Sequence, residues 1–128
     1  MPKIAFVSEP QAYETVDGRR ISKEDIDIVG RIMSMGTLHK AYAGTGAICT
    51  AGAARIKGTV VNEVFAGDPE KEHIRIGHPG GIMPVSARVS QKGGTVEYEE
   101  GIIYRTARRL MEGYVCVPEK YLRKGMSK

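Results

Sequence analysis

Residues 38–58 read LHKAYAGTGAICTAGAARIKG, and the reading of the fold turns on them. Between residues 43 and 54 most side chains are a hydrogen, a methyl or a small hydroxyl. The run predicts a helix over about 44–56, thin enough for other elements to pack close to its axis. Gly44-Thr45-Gly46 opens it, and Lys57-Gly58 closes it with a cation and a glycine suited to left-handed backbone. The first amides of a helix lack internal acceptors, and the positive end of the macrodipole lies there. Glycines at that point let an anion come close to the backbone. Two readings follow, a slender core helix and a helix terminus that binds carboxylate or phosphate, and one helix can serve as both.

Upstream, KIAFVS at 3–8 is a short apolar run stopped by Pro10, and it predicts a strand. Asp17-Gly18 marks a turn. Ser22-Lys23-Glu24-Asp25 fits a capping box. Behind it Ile26, Val29, Ile32 and Met33 recur at helical spacing, which predicts a helix stopped by Gly36. Downstream everything reads as β: strands over 59–65, 73–77, 81–90 and 94–104, with Gly77, Pro79, Gly80 and Gly81 marking a hairpin-like bend. Residues 105–118 (RTARRLMEGYVCVP) are ambiguous, helical in the first half and strand-like at YVCV. Residues 119–128 form a polar tail. Two helices followed by a meander of strands define an α+β chain.

The 128 residues are one domain's worth, and 41% hydrophobic with 27% charged content is globular rather than disordered. No apolar run approaches the ~20 residues of a membrane span, and the N-terminus lacks a signal-peptide pattern. Cys49 and Cys116 are too far apart for a metal-ligand pair and too few for a disulfide framework, which points to a reducing, cytoplasmic setting. The net charge of +4 gathers at Arg19-Arg20, at Arg105, Arg108 and Arg109, and at Lys120, Arg123, Lys124 and Lys128. Such a surplus suits anionic partners, but no nucleic-acid motif or aromatic interleaving accompanies it. Neither nucleic acid, nor membrane, nor metal, nor cofactor is expected.

Candidate chemistry clusters near the glycine-opened helix. Cys49 lies about one turn in, where a thiol becomes a better acid, base or nucleophile; the alternative is a small core filler. Cys116, alternating with valines, reads as packing. His39 and Lys40 precede the Gly-Thr-Gly turn and could reach a bound carboxylate. His78, in GHPGG, lies in a tight turn with free backbone amides expected around it, whereas His73 has no such context.

HKAYAGTGAICTAGAARIKGTVVNEV, RIGHPGG and RTARRLMEGYVCVP, taken in order, resemble the C-terminal portion of the PrpF family, which includes methylaconitate and methylitaconate isomerases. The resemblance covers 1–118 as a single domain, leaving 119–128 as the tail. It implies a diaminopimelate-epimerase-like half: a mixed or antiparallel sheet wrapped barrel-like around a central small-residue helix. The helix opening would face a cleft, with Gly44, Thr45, Gly46 and Ala47 on one substrate carboxylate and His78, Gly80 and Gly81 on a second. Relatives commonly carry serine where Gly80 stands. In the related epimerases a catalytic cysteine precedes the Gly-Thr-Gly turn; here that position is Ala43.

Family members are longer, and their acid/base lysine and cysteine belong to an N-terminal half outside this sequence. The implied activity is isomerisation, an allylic proton shift or cis-trans change, of unsaturated di- or tricarboxylates such as 3-methylitaconate or 2-methylaconitate, by a partial or split enzyme. The alternative is a non-catalytic carboxylate-binding or remnant domain. Within the chain the catalytic candidates are Cys49, His39 and Lys40. The implied partners are the small carboxylate and either an N-terminal-half polypeptide or a second copy.

Overall fold

A computed structural model describes residues 3–122. The main sheet has strands β1 (Ile4–Ser8), β4 (Ile28–Ser34), β5 (Thr37–Leu38), β6 (Ile74–His78), β7 (Gly81–Lys92) and β8 (Thr95–Ile103). Its order is β1-β4-β6-β7-β8, with β5 folded back on β4. The β4–β6 pair is parallel and every other pair antiparallel, so the sheet is mixed. A separate ribbon, β2 (Tyr13–Glu14) and β3 (Arg20–Ile21), lies off the sheet. Between β5 and β6 run α1 (Gly44–Ala54) and α2 (Val60–Val64), and one helical turn, α3 (Glu119–Leu122), ends the described chain.

The expected small-residue helix is α1. Ala47, Ala51 and Ala54 follow one another at helical spacing and are fully buried. They pack on Ile28 and Ile32 of β4, Ile74 and Ile76 of β6, and Val85 and Ala87 of β7, which together form the core. On another side β8 closes over the helix: Gly101 lies against Ile48, and Tyr98 lies against Gly52 and donates its hydroxyl to the Cys49 carbonyl at 3.2 Å. The sheet therefore curls around α1 as a half-barrel, α+β as the element order predicted and wrapped as the family resemblance implied.

The helix ends sooner than expected, at an Arg55 C-cap, and Gly58 (φ +82°) turns the chain three residues later. The last carbonyls of α1 are satisfied from beyond: Thr59 Oγ1 donates to the Ala53 carbonyl at 2.6 Å, and Asn62 Nδ2 to the Ala54 carbonyl at 2.6 Å. Thr59 also accepts the Asn62 amide at 3.1 Å as the N-cap of α2. This corrects the strand expected over 59–65. Val60 and Val61 favour a strand, but a cap anchored to the end of α1 fixes a short helix instead.

The helix expected behind Ser22 is also corrected. The Ser22 amide does reach Asp25 Oδ2, at 3.4 Å, yet the box caps a single 3-10 turn over Lys23–Asp25. The apolar residues behind it fit a period of two as well as 3.6. Ile26, Ile28, Gly30 and Ile32 are buried on one face, and β4 is the outcome. Four β-branched residues within 26–32 tilt that choice. Gly36 does not stop a helix but completes a two-residue hairpin turn with Met35, both at positive φ.

The strands at 3–8, 73–77, 81–90 and 94–104 and the bend at 78–81 stand where the sequence put them, give or take a residue or two. Residues 105–118 form neither of the expected elements. Of the tail, 123–128 lie outside the described residues. Cys116 is exposed, against its reading as packing.

Close packing makes Gly30 the sharpest test of this core. A methyl there would sit 2.7 Å from the buried Tyr42 ring and 3.1 Å from Ile76. Gly30→Ala is expected to lower the unfolding free energy by about 1–3 kcal/mol, as an overpacked core does. Gly18→Ala meets nothing within 4 Å and strains only its backbone at φ +82°; it leaves the core unaltered. Denaturant midpoints with unchanged m-values check the difference.

Candidate functional site

Three segments meet at the opening of α1. The N-cap is Ala43, whose methyl can accept no amide, and no side chain caps the helix. The first amide with an internal acceptor is Ala47, donating to the Ala43 carbonyl at 2.8 Å. Gly44, Thr45 and Gly46 thus present their amides outward, and the Thr45 side chain is exposed. Cys49 is exposed too, one turn further along the same line as Thr45; the core-filler reading of this thiol is corrected.

The second segment is the β6–β7 turn. His78 is buried there, and its Nδ1 accepts the Gly80 amide at 3.1 Å. That bond places the ring hydrogen of the neutral imidazole on Nε2, a donor suited to a carboxylate. Burial, followed by the nearby charges of Arg31, His39 and Arg19, holds His78 below its usual pKa, so it is neutral at pH 7. Its bond to Gly80 also means that one amide expected to be free in this turn is already taken.

The third segment, His39 to Ala41, lies against the turn. A Cβ on residue 80 would stand 3.1 Å from the Lys40 carbonyl, so glycine permits the close approach. His39 Nδ1 accepts the Ala41 amide at 3.1 Å, and both His39 and Lys40 are exposed. Three residues separate Lys40 from Gly44, a span of at most about 14 Å even when extended. The structure thus brings His39 and Lys40 against His78, Gly80 and the buried Gly81, with Gly44, Thr45 and Gly46 within that chain span of Lys40 and Ala47 buried.

Sequence reasoning missed the groups that hold the turn. The Tyr13 hydroxyl lies 2.9 Å from the His78 carbonyl and 2.7 Å from that of Gly81; Val16 donates its amide to Pro79, and Arg19 Nη2 donates to Gly80. Every carbonyl of residues 78–81 thus has a ribbon donor within reach, the single Tyr13 hydroxyl hydrogen being shared between those of His78 and Gly81. Arg31 Nη1 donates to the Gly30 and Gly77 carbonyls at 2.8 and 3.1 Å, with its guanidinium over the Tyr13 ring. With Lys40, these arginines make the region cationic, although Arg19 is also paired with Asp17 at 2.9 Å. Arg31 would have been found had 26–33 been read at period two, which puts it off the core face and beside the end of β6.

His39, Lys40 and Thr45 stand exposed here, a ledge beside the buried His78. Two cavities, of about 580 and 440 Å3, lie elsewhere: one beside Arg55, Ser86 and Glu100 beyond the far end of α1, the other beside Asp27, Glu63 and Arg75. Among the described residues no cluster of three His, Cys, Asp or Glu side chains could hold a metal. No helix there is long and apolar enough to cross a membrane.

Such a half-barrel around a glycine-opened helix defines a class that comparison with known proteins makes specific. The sequence pattern of the PrpF protein family matches residues 1–118, and the chain belongs to that family. It is 48% identical over 122 residues to the 3-methylitaconate isomerase of Eubacterium barkeri, covering 94% of this chain and 31% of that protein. It is 46% identical over 118 residues to the 2-methyl-aconitate isomerase of Shewanella oneidensis, covering 92% of this chain and 30% of that one. The crystal structure of methylitaconate-delta-isomerase superposes with a TM-score of 0.72 at 50% identity, over 89% of this chain and 29% of the other. The chain thus spans about a third of the length of these relatives.

Since folded His78 resists protonation, the unfolded chain binds more protons once the pH falls below the ordinary histidine pKa near 6.5. This histidine's share of the stability is intact above that value and declines as the pH falls toward the depressed folded pKa, with a slope of up to ~1.4 kcal/mol per pH unit. His78→Gln is expected to flatten the fall in stability between pH 7 and 5 relative to the parent chain. Melting temperatures across that range check it.

Proposed function

We propose that this chain is the carboxylate-gripping portion of an isomerase for unsaturated di- or tricarboxylates, of the 3-methylitaconate or 2-methylaconitate type, working in a reducing, cytoplasmic setting. The observation that carries the reading is the uncapped, glycine-opened terminus of α1 beside a neutral, buried histidine and a cationic turn. The relatives named above supply the substrate class.

In the reaction a base removes a proton from a carbon conjugated to a carboxylate, and the proton returns at the other end of the allyl system. Negative charge grows on the carboxylate oxygens as the bond to hydrogen breaks. The amides of Gly44, Thr45 and Gly46 and the Thr45 hydroxyl are the donors for that charge, and donors fixed in advance lower such a barrier. His78 Nε2–H, with Lys40 and His39, would hold a second carboxylate. Ala47 supports α1 from below. The general acid/base is a separate requirement. Cys49, His39 and Lys40 are this chain's candidates for that role; in this reading the main proton carrier belongs to the portion of the family fold that this chain does not span.

Ala43 favours a second reading, a carboxylate-binding domain without chemistry, because alanine stands where the resemblance places a cysteine and can move no proton.

Aconitate or citrate is expected to raise the melting temperature of the chain. At a ligand concentration about 100 times Kd, binding to the native state alone adds ~2.7 kcal/mol of stability. Thr45→Val should weaken the shift and Lys40→Met should reduce it further, while neither moves the ligand-free melting point by much. Isomerisation of 3-methylitaconate or 2-methylaconitate is then assayed with the chain alone and with the complementary portion of a relative. Turnover in the mixture supports the isomerase reading. Protection without turnover selects the binding domain, and absence of protection removes the carboxylate claim.

A further inference from the structure

The donor that the ledge takes from His78 depends on a bond inside the β6–β7 turn. Gly80 gives its amide hydrogen to Nδ1 at 3.1 Å, which leaves the ring hydrogen on Nε2. If the turn relaxed and that bond opened, Nδ1 could carry the hydrogen instead, or a second proton beside it. A ring that trades tautomers is a poor fixed donor. Whatever keeps the turn in this shape therefore decides what His78 can do.

One hydroxyl reaches both arms of the turn. Tyr13 Oη lies 2.9 Å from the His78 carbonyl, where the turn begins, and 2.7 Å from the Gly81 carbonyl, where it ends. Val16 and Arg19 bond the two carbonyls between, but each reaches only one, and Arg19 is shared with Asp17. The tyrosine is itself held in place. A side chain on Gly77 would stand 3.1 Å from Tyr13 Cε1 and Oη, so the ring lies against the β6 backbone. The Arg31 guanidinium lies 4.8 Å from the ring centroid and bonds the Gly77 carbonyl at 3.1 Å, so ring, arginine and strand hold one another. Thr15 and Ile21 of the same ribbon are buried. Burial raises the Tyr13 pKa above that of an ordinary phenol, the nearby cations notwithstanding, so the hydroxyl keeps its hydrogen.

We propose that Tyr13 is a positioning residue: by spanning the His78 and Gly81 carbonyls it holds the turn closed, and so keeps His78 an Nε2–H donor for a substrate carboxylate. The last clause deepens the reading above and rests on it; the link from Tyr13 to the His78 tautomer stands on the hydrogen bonds alone. Tyr13 acts from the side of the sheet away from α1. Ile76 packs toward α1, so Gly77, with the ring against it, faces the other way, and His78 faces the helix side again. The tyrosine thus works through the strand without touching the ligand.

The test reads the His78 ring of the full chain by long-range nitrogen–proton NMR, first without ligand. In the parent chain the neutral ring is expected as the Nε2–H tautomer, titrating below the ordinary value near 6.5. Tyr13→Phe keeps the ring and removes only the hydroxyl. It should admit the Nδ1–H tautomer and move the titration up toward the ordinary value, since a freed Nδ1 takes a proton more readily. Aconitate binding at pH 7 should weaken by about twofold to tenfold, the usual worth of one hydrogen bond. Replacing the tyrosine with para-aminophenylalanine, which carries a hydrogen for each carbonyl, should restore the parent tautomer. Gly77→Ala, which displaces the ring and spares the hydroxyl, should shift the tautomer as Tyr13→Phe does, and it decides the matter if that variant does not fold. Tyr104→Phe removes a hydroxyl 3.1 Å from Nδ1 of another histidine, His73, and should leave His78 as it was. Parent tautomer and titration in Tyr13→Phe would overturn the proposal, as would an equal shift in Tyr104→Phe. A shifted ring in a variant that binds aconitate as tightly as the parent would overturn Tyr13's part in the carboxylate grip. A shifted ring where even the parent binds no aconitate keeps the positioning role and removes the carboxylate reading.

Discussion

The depth to which α1 sinks into its sheet sets the rest of the structure. Ala47, Ala51 and Ala54 let the helix approach β4, β6 and β7 closely, and the strands answer with isoleucine, valine and alanine rather than aromatic rings. Where rings do enter, glycine receives them: Gly30 faces Tyr42, and Gly52 faces Tyr98. Tyr42 is held in the core by its hydroxyl, 3.0 Å from Thr50 Oγ1 on α1 itself. Interiors packed this tightly transmit displacement rather than absorb it. The first turn of α1 is therefore fixed by the same contacts that stabilise the domain, and its amides need no capping side chain to be held in place.

How legible this was depended on whether the decisive contacts are local. The composition of 44–54 identifies α1 without any knowledge of its surroundings, and Pro79-Gly80 or Gly93-Gly94 specify their turns from backbone preference alone. Residues 26–33 satisfy two periods at once, and the arbiter is Ile76 and Gly77 of β6, nearly fifty residues away. Residues 59–65 carry strand-forming valines, and the arbiter is the end of α1, where Thr59 and Asn62 find carbonyls to bond. Exposure of Cys49 was likewise beyond reach, since Ile48 is the one bulky side chain on a helix of small residues and cannot by itself mark the buried face.

The candidate site shows the same division. Its donors were visible because glycine-opened helices and His-Pro-Gly-Gly turns have local meaning. Its electrostatic character was not, because that comes from Arg19 and Arg31 reaching the turn from a ribbon and a strand. Those arginines do two things together. They tie up backbone carbonyls that would otherwise repel an anion, and their charge adds to the burial that keeps His78 neutral. A neutral imidazole among fixed cations donates a hydrogen bond without losing a proton to its ligand, a steadier anchor than an imidazolium titrating near pH 7.

Openness to water gives the ledge a particular limit. Unit charges 4 Å apart attract by ~1 kcal/mol in bulk water and by ~4 kcal/mol at the effective dielectric near a protein surface. Amides and cations left facing solvent therefore grip a carboxylate weakly, and donors meant to stabilise growing charge are dulled in the same way. Covering the ledge would raise both effects without altering any residue on it. Physical linkage then requires reciprocity: if a covering surface tightens the hold on a carboxylate, a bound carboxylate tightens the hold on that surface by the same factor. If that surface belongs to the complementary part of the fold, carboxylate affinity and association with it would be two readings of one coupling free energy. A chain with the donors and the cations on one ledge has its parts placed for that coupling.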